Sequence, residues 1–106
     1  MLIRCAFFEG RIHDGKEAAF DDFVQQQLLP LWQRFPGSTG VRILRHVVAD
    51  PGAPPIPMML EFDYPSQAAI EQTMASPERT EAKAKTQELL SMLEGRLYHI
   101  VFERKH

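Results

Sequence analysis

The feature that most constrains the fold of this chain is the order in which two hydrophobic periodicities follow one another. Residues 2–10, 41–48, 57–63 and 96–103 alternate in character with the period of two that is typical of strands. Between the first two segments, and again between the last two, apolar residues recur three or four positions apart, as on one helix face. The order strand, helix, strand, strand, helix, strand predicts a ferredoxin-like α+β fold, with a four-stranded antiparallel sheet and two helices on one of its faces.

Local signals predict where the helices begin and end. Asp14 and Glu17 have the spacing of a capping box, which predicts the start of the first helix. Pro30 lies inside the helical pattern and must kink that helix or end it early, because proline lacks the backbone donor. Ser76, which is followed by a proline, predicts a restart of the second helix, and Gly95 predicts its end.

Composition limits the classes of function that are open to the chain. Its 106 residues predict a single domain, 1–106. Twelve Lys and Arg against fourteen Asp and Glu give a net charge of −2, which disfavours a nucleic-acid partner. The one cysteine cannot form an internal disulfide, and no apolar run approaches the roughly 18–20 residues of a membrane span. We therefore expect a cytoplasmic protein without a membrane partner.

The strand residues divide into two sets, because successive side chains of a strand point to opposite faces of the sheet. We expect the more apolar set to face the helices: Ile3, Cys5, Phe7, Val41, Ile43, Val47, Met58, Leu60, Phe62, Tyr98, Ile100 and Phe102. Arg45 is its one charged member and is expected near a strand end, where its head can reach water. The other set is half apolar and half ionisable: Arg4, Ala6, Phe8, Arg42, Leu44, His46, Val48, Met59, Glu61, Asp63, Leu97, His99, Val101 and Glu103.

The mixed set predicts an interaction surface. Left in solvent, it would expose a contiguous apolar patch, which in soluble proteins usually marks a contact site. The simplest cover is the same face of a second copy, which predicts a homodimer with a small cavity between the two sheets. A monomer with a wetter, open face is the alternative.

Five short motifs are spread over the chain: Phe20-Asp21-Asp22-Phe23, Leu29-Pro30-Leu31, Phe35-Pro36-Gly37, Val41-Arg42-Ile43-Leu44-Arg45 and Ser76-Pro77-Glu78. In combination they resemble the dimeric α+β barrel superfamily, and within it the EthD-like (ether-degradation) proteins and their antibiotic-biosynthesis-monooxygenase relatives. The resemblance covers nearly the whole chain and implies a dimeric barrel architecture. Members range over cofactor-free oxygenases, haem-degrading enzymes and isomerases, so the shared motifs imply architecture more than chemistry.

The chain departs from the catalytic patterns of that superfamily. EthD-like proteins carry a histidine where this chain has Leu28, and the related oxygenases use an asparagine together with a tryptophan and a histidine or arginine. This sequence contains no asparagine, and its only tryptophan, Trp32, falls on the first helix. Neither catalytic set can be transferred to this chain residue by residue.

The resemblance and the half-apolar face together imply a small-molecule enzyme that acts on an aromatic or other hydrophobic metabolite without a tightly bound cofactor. A monooxygenase-like and an isomerase-like reaction both stay open, and in the first case an electron-rich substrate anion would have to activate oxygen itself. The alternative is a non-catalytic dimeric protein, either a ligand carrier or a stress-response accessory protein.

His99 and His46 are the candidate proton-transfer residues, because each lies among apolar neighbours on the mixed set and histidine titrates near neutral pH. An interface histidine that bonds to Glu61 or a carbonyl is the alternative. Glu61 is a third catalytic candidate, since burial would raise its pKa, although a cross-strand ion pair with Arg4 or Arg42 is the favoured interpretation.

Three further residues are candidates for substrate binding. Arg42 can hold an anionic group with two parallel hydrogen bonds, and Phe8 and Met59 would wall a cavity for an aromatic ligand. Packing between subunits is the alternative role of the last two. The four histidines show no short-range pair at metal-binding spacing, and no glycine-rich phosphate loop is present, so we expect neither a metal nor a bound cofactor.

Overall fold

The computed structural model describes residues 1–106 and contains four strands and two helical regions. The strands are β1 (Leu2–Ile12), β2 (Gly40–Arg45), β3 (Met58–Tyr64) and β4 (Leu93–Glu103). They form one sheet in the order β2-β3-β1-β4, and every neighbouring pair is antiparallel. Helices follow β1 and β3, so the ferredoxin-like α+β fold that the sequence predicted is confirmed.

The first helical region is one helix with a widened turn. It consists of α1 (Glu17–Phe23), a π turn (Val24–Leu28) and α2 (Leu29–Trp32). In the π turn the N–H of Leu29 bonds to the carbonyl of Val24, five residues back, and the wider turn lets the helix continue through Pro30. The sequence predicted that Pro30 would either kink the helix or end it early. The structure shows that the helix is distorted and continues past the proline.

The predicted capping box at the start of this helix is wrong. α1 begins at Glu17 after Lys16, and no side chain caps it. Asp14 instead lies 3.5 Å from Arg11 in an exposed ion pair, so its carboxylate is not directed at the helix amides.

The second helical region is interrupted where the sequence predicted a restart. It consists of α3 (Gln67–Met74) and α4 (Pro77–Leu90). The hydroxyl of Ser76 accepts a hydrogen bond from the N–H of Arg79 at 3.2 Å, with a proline in the first turn, so the predicted cap is confirmed. α4 has 14 residues, and no helix of the structure combines the length and hydrophobicity that a membrane crossing requires.

Gly95 lies in β4, so its prediction as a helix end is wrong. α4 stops at Leu90, and β4 begins at Leu93. Gly95 pairs with Gly10 across the sheet, and a Cβ atom at position 95 would lie 1.9 Å from the carbonyl oxygen of Glu9. The glycine is thus required by the close approach of two strands.

A buried hydrogen-bond chain fixes α3 against the rest of the molecule. The Tyr64 hydroxyl donates to Thr73 Oγ1 at 3.0 Å, and the Thr73 hydroxyl donates in turn to the carbonyl of Pro36. Tyr64 and Thr73 are essentially inaccessible to solvent. This chain links β3, α3 and the loop that follows α2.

Cross-strand register decides which strand residues face the helices. Ala6 of β1 pairs with Leu60 of β3 and with His99 of β4, and Ile43 of β2 pairs with Leu60. Directly paired residues share a face, and Ala6 and Leu60 belong to the buried core beneath the helices. The helix-facing residues are therefore Arg4, Ala6, Phe8, Val41, Ile43, Arg45, Met58, Leu60, Phe62, Tyr64, Leu97, His99 and Val101.

The sequence-based face assignment is thus correct for β2 and β3 and wrong for β1 and β4. Residues placed away from the helices, including Phe8 and His99, lie beneath them, and Phe7 and Ile100 lie on the uncovered face. In β1 and β4 both alternating sets of side chains are rich in apolar residues, so hydrophobicity alone does not identify the buried face of these strands. Arg45 is close to its expected position, at the end of β2, where its guanidinium lies 3.0 Å from Asp21.

Candidate functional site

A pocket opens between the sheet, α4 and the end of α2. Its volume is about 160 Å³. Its lining combines apolar side chains from the sheet and α2 with polar ones from α4: Arg4, Ala6, Phe8, Trp32, Phe35, Leu60, Phe62, Arg79, Ala82, Lys83, Thr86, Gln87, Leu97 and His99. Small concave sites with an apolar wall and a few convergent polar groups are the usual form of small-molecule sites.

Aromatic rings form the rigid wall of this pocket. The rings of Trp32 and Phe62 meet edge to face with centroids 6.2 Å apart, and those of Phe35 and Phe62 stack at 5.4 Å. Phe8 is 1% exposed and contributes to the buried core as well as to the pocket lining. Such close packing fixes the shape of the wall before any ligand arrives.

His99 supplies the titratable group of the pocket. It lies on β4 opposite Ala6, whose small side chain leaves room beneath the helices. His99 is exposed at the side of the pocket, but neighbouring protein atoms take the place of part of its hydration. This desolvation, reinforced by the positive charges of Arg4 and Arg79, lowers the pKa of His99 to about 4. The imidazole is therefore neutral near pH 7, with one ring nitrogen free to accept a proton or a hydrogen bond.

Arg4 is the unusual charge in this pocket. It lies on β1, half-buried beneath the helices, and its guanidinium has no hydrogen bond or ion pair with another protein group. Burial, the largest cause, lowers the pKa of Arg4, and the positive charge of Arg79 adds to that effect. Arginine is rarely removed from water without a partner, because a desolvated charge is unfavourable.

The ionic groups in the pocket lining are all basic or titratable to a cation. Arg79 and Lys83 project from successive turns of α4 beside Arg4 and His99, and the lining contains no carboxylate. The pocket is therefore positive although the whole chain carries a net charge of −2.

The structure brings together two of the six candidate residues from the sequence, His99 and Phe8. Both lie in the pocket beneath the helices, so the predicted location of the cavity, on the sheet face opposite the helices, is corrected by the register of β1. His46 follows the end of β2 and is exposed, and its N–H bonds to the carbonyl of Pro57. It belongs to a separate hollow at the other end of the sheet.

Arg42, Glu61 and Met59 lie on the sheet face away from the helices. Arg42 Nε is 2.7 Å from Glu61 Oε1, and its two terminal nitrogens lie 2.7 and 2.8 Å from the Asp63 carboxylate. The bonds to Asp63 are the largest cause that raises the pKa of Arg42, and the bond to Glu61 is the next. The bonds from Arg42 in turn hold the pKa of Asp63 below its usual value. Arg42 is thus occupied by two carboxylates, and Glu61 has the cross-strand ion pair that was one of its two interpretations.

The sequence argument missed the three basic side chains of the pocket, those of Arg4, Arg79 and Lys83. A signal for two of them exists, because Arg79, Ala82, Lys83 and Thr86 follow the spacing of one helix face, and Ala82 is buried. The mixture of opposite charges from Glu78 to Lys85 equally predicts a solvated helix face, so the spacing alone does not single these residues out. For Arg4 no such signal exists, because its position depends on strand register.

Comparison with known proteins gives the fold and leaves the chemistry open. No protein-family model and no curated protein sequence matches the chain. Among solved structures, an ethyl tert-butyl ether degradation (EthD) family protein from Bacillus halodurans has a TM-score of 0.74 at 21% identity, covering 98% of this chain and 99% of that one. SnoaB, a cofactor-independent oxygenase from Streptomyces nogalater, has a TM-score of 0.68 at 15% identity, with coverage of 99% and 93%.

A dimeric ferredoxin-like protein of unknown function from Jannaschia sp. is similar over 97% of this chain and 98% of its own, with a TM-score of 0.69 at 16% identity. Identities this low establish a shared fold and no more. The resemblance to the EthD-like and monooxygenase-like α+β barrels that the sequence motifs indicated is confirmed at that level.

Proposed function

We propose that this protein is a monooxygenase-like small-molecule enzyme that acts on a small aromatic or other hydrophobic metabolite, without a tightly bound cofactor, in the pocket beneath α4. One observation carries the proposal: a neutral histidine, His99, opens onto an apolar pocket walled by aromatic rings. The shared fold of an EthD family protein and a cofactor-independent oxygenase supports it.

The pocket volume favours a small substrate. At about 160 Å³ it is close to the roughly 150 Å³ that holds one benzene ring in an apolar protein cavity. A single aromatic ring therefore fits among Phe8, Phe35 and Phe62, and a larger substrate would extend past Lys83 and Gln87 at the rim.

His99 is placed to start the reaction by removing a proton. In an oxygenase reaction, a substrate CH₂ group next to an aromatic ring transfers one proton to the neutral imidazole and becomes a carbanion. The carbanion carbon bonds to dioxygen, and the resulting peroxide takes the proton back from His99. Loss of water across the C–O–O–H unit then leaves a carbonyl, so that CH₂ and O₂ give C=O and H₂O with all four electrons supplied by the substrate.

Dioxygen uptake tests this proposal. The full-length chain is mixed with a panel of aromatic ketones that carry an acidic CH₂ group, both neutral ones and ones with a carboxylate or phenol group on the ring, beginning with single-ring compounds. We expect uptake with at least one ketone, one carbonyl product per dioxygen, and at least a 10²-fold loss in His99→Gln, the usual contribution of a general base. His13→Gln, in an exposed loop, is the matched control.

Two results would overturn the proposal. One is the absence of uptake with every ketone of the panel, and the other is unchanged turnover in His99→Gln. If His46→Gln loses turnover while His99→Gln keeps it, the reaction occurs in the hollow near β2, and the assignment to this pocket fails.

We further propose that a second copy covers the uncovered sheet face. Ile100 and Phe102 of β4 and Leu44 of β2 are 43%, 48% and 43% exposed, and they surround the half-exposed stacked rings of Phe7 and Tyr98. An apolar patch of this kind is unusual on a soluble monomer. Two proteins that share the fold are described as dimeric, which supports the proposal.

Light scattering after size-exclusion chromatography tests the dimer. One chain has a mass of 12.2 kDa, so a homodimer has 2 × 12.2 = 24.4 kDa. Ile100→Arg places a charge between Tyr98 and Phe102 in the patch and is expected to give the mass of one chain. Val47→Arg is the matched control, because Val47 is 88% exposed in the loop after β2. A wild-type mass of one chain at all concentrations would exclude the dimer.

A further inference from the structure

We propose that the pocket beneath α4 selects an anion, a small aromatic carboxylate or phenolate, and that Arg4 is the counter-ion of its negative group. The inference deepens the proposed function and rests on the same pocket, because it names the class of substrate that the pocket takes.

Arg4 differs from the arginines on the other strands. Arg42, Arg45 and Arg96 each have a carboxylate within 3.0 Å. Arg4 has none, although it is more buried than these three exposed arginines. A guanidinium that is partly desolvated and unpaired binds an arriving anion strongly, because the anion replaces hydration that burial has already removed.

The surroundings of Arg4 favour an anion over any other ligand. Arg79 and Lys83 on α4 add positive charge at the rim, and no lining residue carries a negative charge. A cationic ligand would meet three like charges, and a neutral ligand could offer the Arg4 guanidinium a hydrogen-bond acceptor but no counter-charge. An anion alone neutralises the group that is least favourable in the free protein.

The shape of the pocket restricts which anions fit. Phe8, Phe35 and Phe62 line the pocket with aromatic surface, and one ring matches its volume of about 160 Å³. A carboxylate accepts two parallel bonds from one guanidinium, and a phenolate oxygen accepts one. An aromatic ring with one such group satisfies Arg4 and the apolar wall at the same time.

Anion binding would also make His99 a better base. The charges of Arg4 and Arg79 are among the causes that hold the pKa of His99 at about 4. Desolvation is the larger cause, and a bound anion offsets the charges of Arg4 and Arg79 that add to it. The same substrate group would thus be held by Arg4 and would promote proton transfer to His99.

Calorimetry with an unreactive pair of probes tests the inference on the full-length protein. Benzoate and benzamide have nearly the same size and differ in charge. We expect benzoate to bind at least about tenfold more tightly than benzamide, the effect of one charge-assisted hydrogen bond. Arg4→Met should abolish that preference and leave benzamide within twofold, whereas Arg11→Met, an exposed arginine on the same strand, should keep it.

Equal binding of the two probes by the wild-type protein, or no binding of benzoate at all, would overturn the inference without use of any variant. An undiminished benzoate preference in Arg4→Met would overturn the role of Arg4. The results for the proposed enzyme are independent of those for anion selectivity. Benzoate selectivity without dioxygen uptake would mean that the pocket binds anions but does not oxygenate them. Dioxygen uptake with neutral ketones alone would mean that the protein is an oxygenase without anion selectivity.

Discussion

Replacing Arg4 by methionine is expected to stabilise the folded protein, although it removes a charged residue from the sheet. Methionine keeps the length and apolar character of the arginine stem and lacks only the guanidinium. That group makes no hydrogen bond or ion pair with the protein and is half-buried, so its removal breaks no protein bond and relieves a desolvated charge.

The size of the effect follows from a comparison with Arg42. Because Arg4 keeps part of its contact with water, the gain in unfolding free energy from Arg4→Met should be about 1 kcal/mol, the lower end of what replacing buried charges by apolar groups gives. Arg42→Met should instead lose about 1 kcal/mol, since it breaks bonds to Glu61 and Asp63 on a surface where Arg42 is 46% exposed and solvent weakens each pair. The two variants should therefore differ by about 2 kcal/mol.

Urea unfolding followed by circular dichroism measures both variants in the Ile100→Arg background, which is expected to have the mass of one chain, so that self-association does not contribute. With an m-value of about 2 kcal/mol/M, the two midpoints should differ by roughly 1 M and lie on opposite sides of the midpoint of Ile100→Arg alone. Benzoate should stabilise the wild type and not Arg4→Met. If Arg4→Met is destabilised as strongly as Arg42→Met, Arg4 is a structural residue and the argument for an unpaired charge is refuted.

Three other perturbations have clear expected outcomes. Thr73→Val should lower the unfolding free energy by about 2 kcal/mol in urea unfolding, because it leaves the buried Tyr64 hydroxyl and the part-buried Pro36 carbonyl without a partner. Thr73→Ser keeps the hydroxyl and should lose about 1 kcal/mol. Gly95→Ala should cost about 3 kcal/mol by the same method, since its Cβ would overlap the Glu9 carbonyl, and a near-neutral result would contradict the strand pairing. The pKa of His99 is about 4 in the folded protein and near 6.5 in the unfolded chain, so the unfolded chain binds a proton more readily. The unfolding free energy should therefore fall as the pH drops from about 6.5 to 4. In His99→Gln the unfolding free energy should fall less over the same pH range.

Much of the fold was predictable because its signals are local. Hydrophobic periodicity gave the element order, and the cap at Ser76 followed from a serine placed before a proline. Periodicity also correctly predicted which residues of β2 and β3 share a face, such as Val41 and Phe62, and which residues of β1 and β4 do, such as Ala6 and His99. The predictions were wrong where a local signal had a second interpretation. Gly95, for example, is compatible both with a helix end and with the close approach of two paired strands.

The candidate site was predictable only in part, because it depends on how distant strands align. His99 and Phe8 were singled out by residue type, and both line the pocket. Arg42 was singled out for the same reason and is saturated by Glu61 and Asp63. No local pattern distinguishes a paired arginine from an unpaired one, since the partners are about 20 residues away along the chain.

The sequence by itself determined the ferredoxin-like order of elements and the alternation within every strand. Only the tertiary structure decided the register between β1 and β3, in which Ala6 pairs with Leu60. A shift of one residue there moves Arg4, Phe8 and His99 from the outer face to the pocket beneath the helices, because side chains alternate with a period of two. Both faces of β1 and β4 are apolar enough to be buried, so the sequence alone could not choose between them, and in the structure Ala6 and Phe8 of β1 share a core with both helical regions.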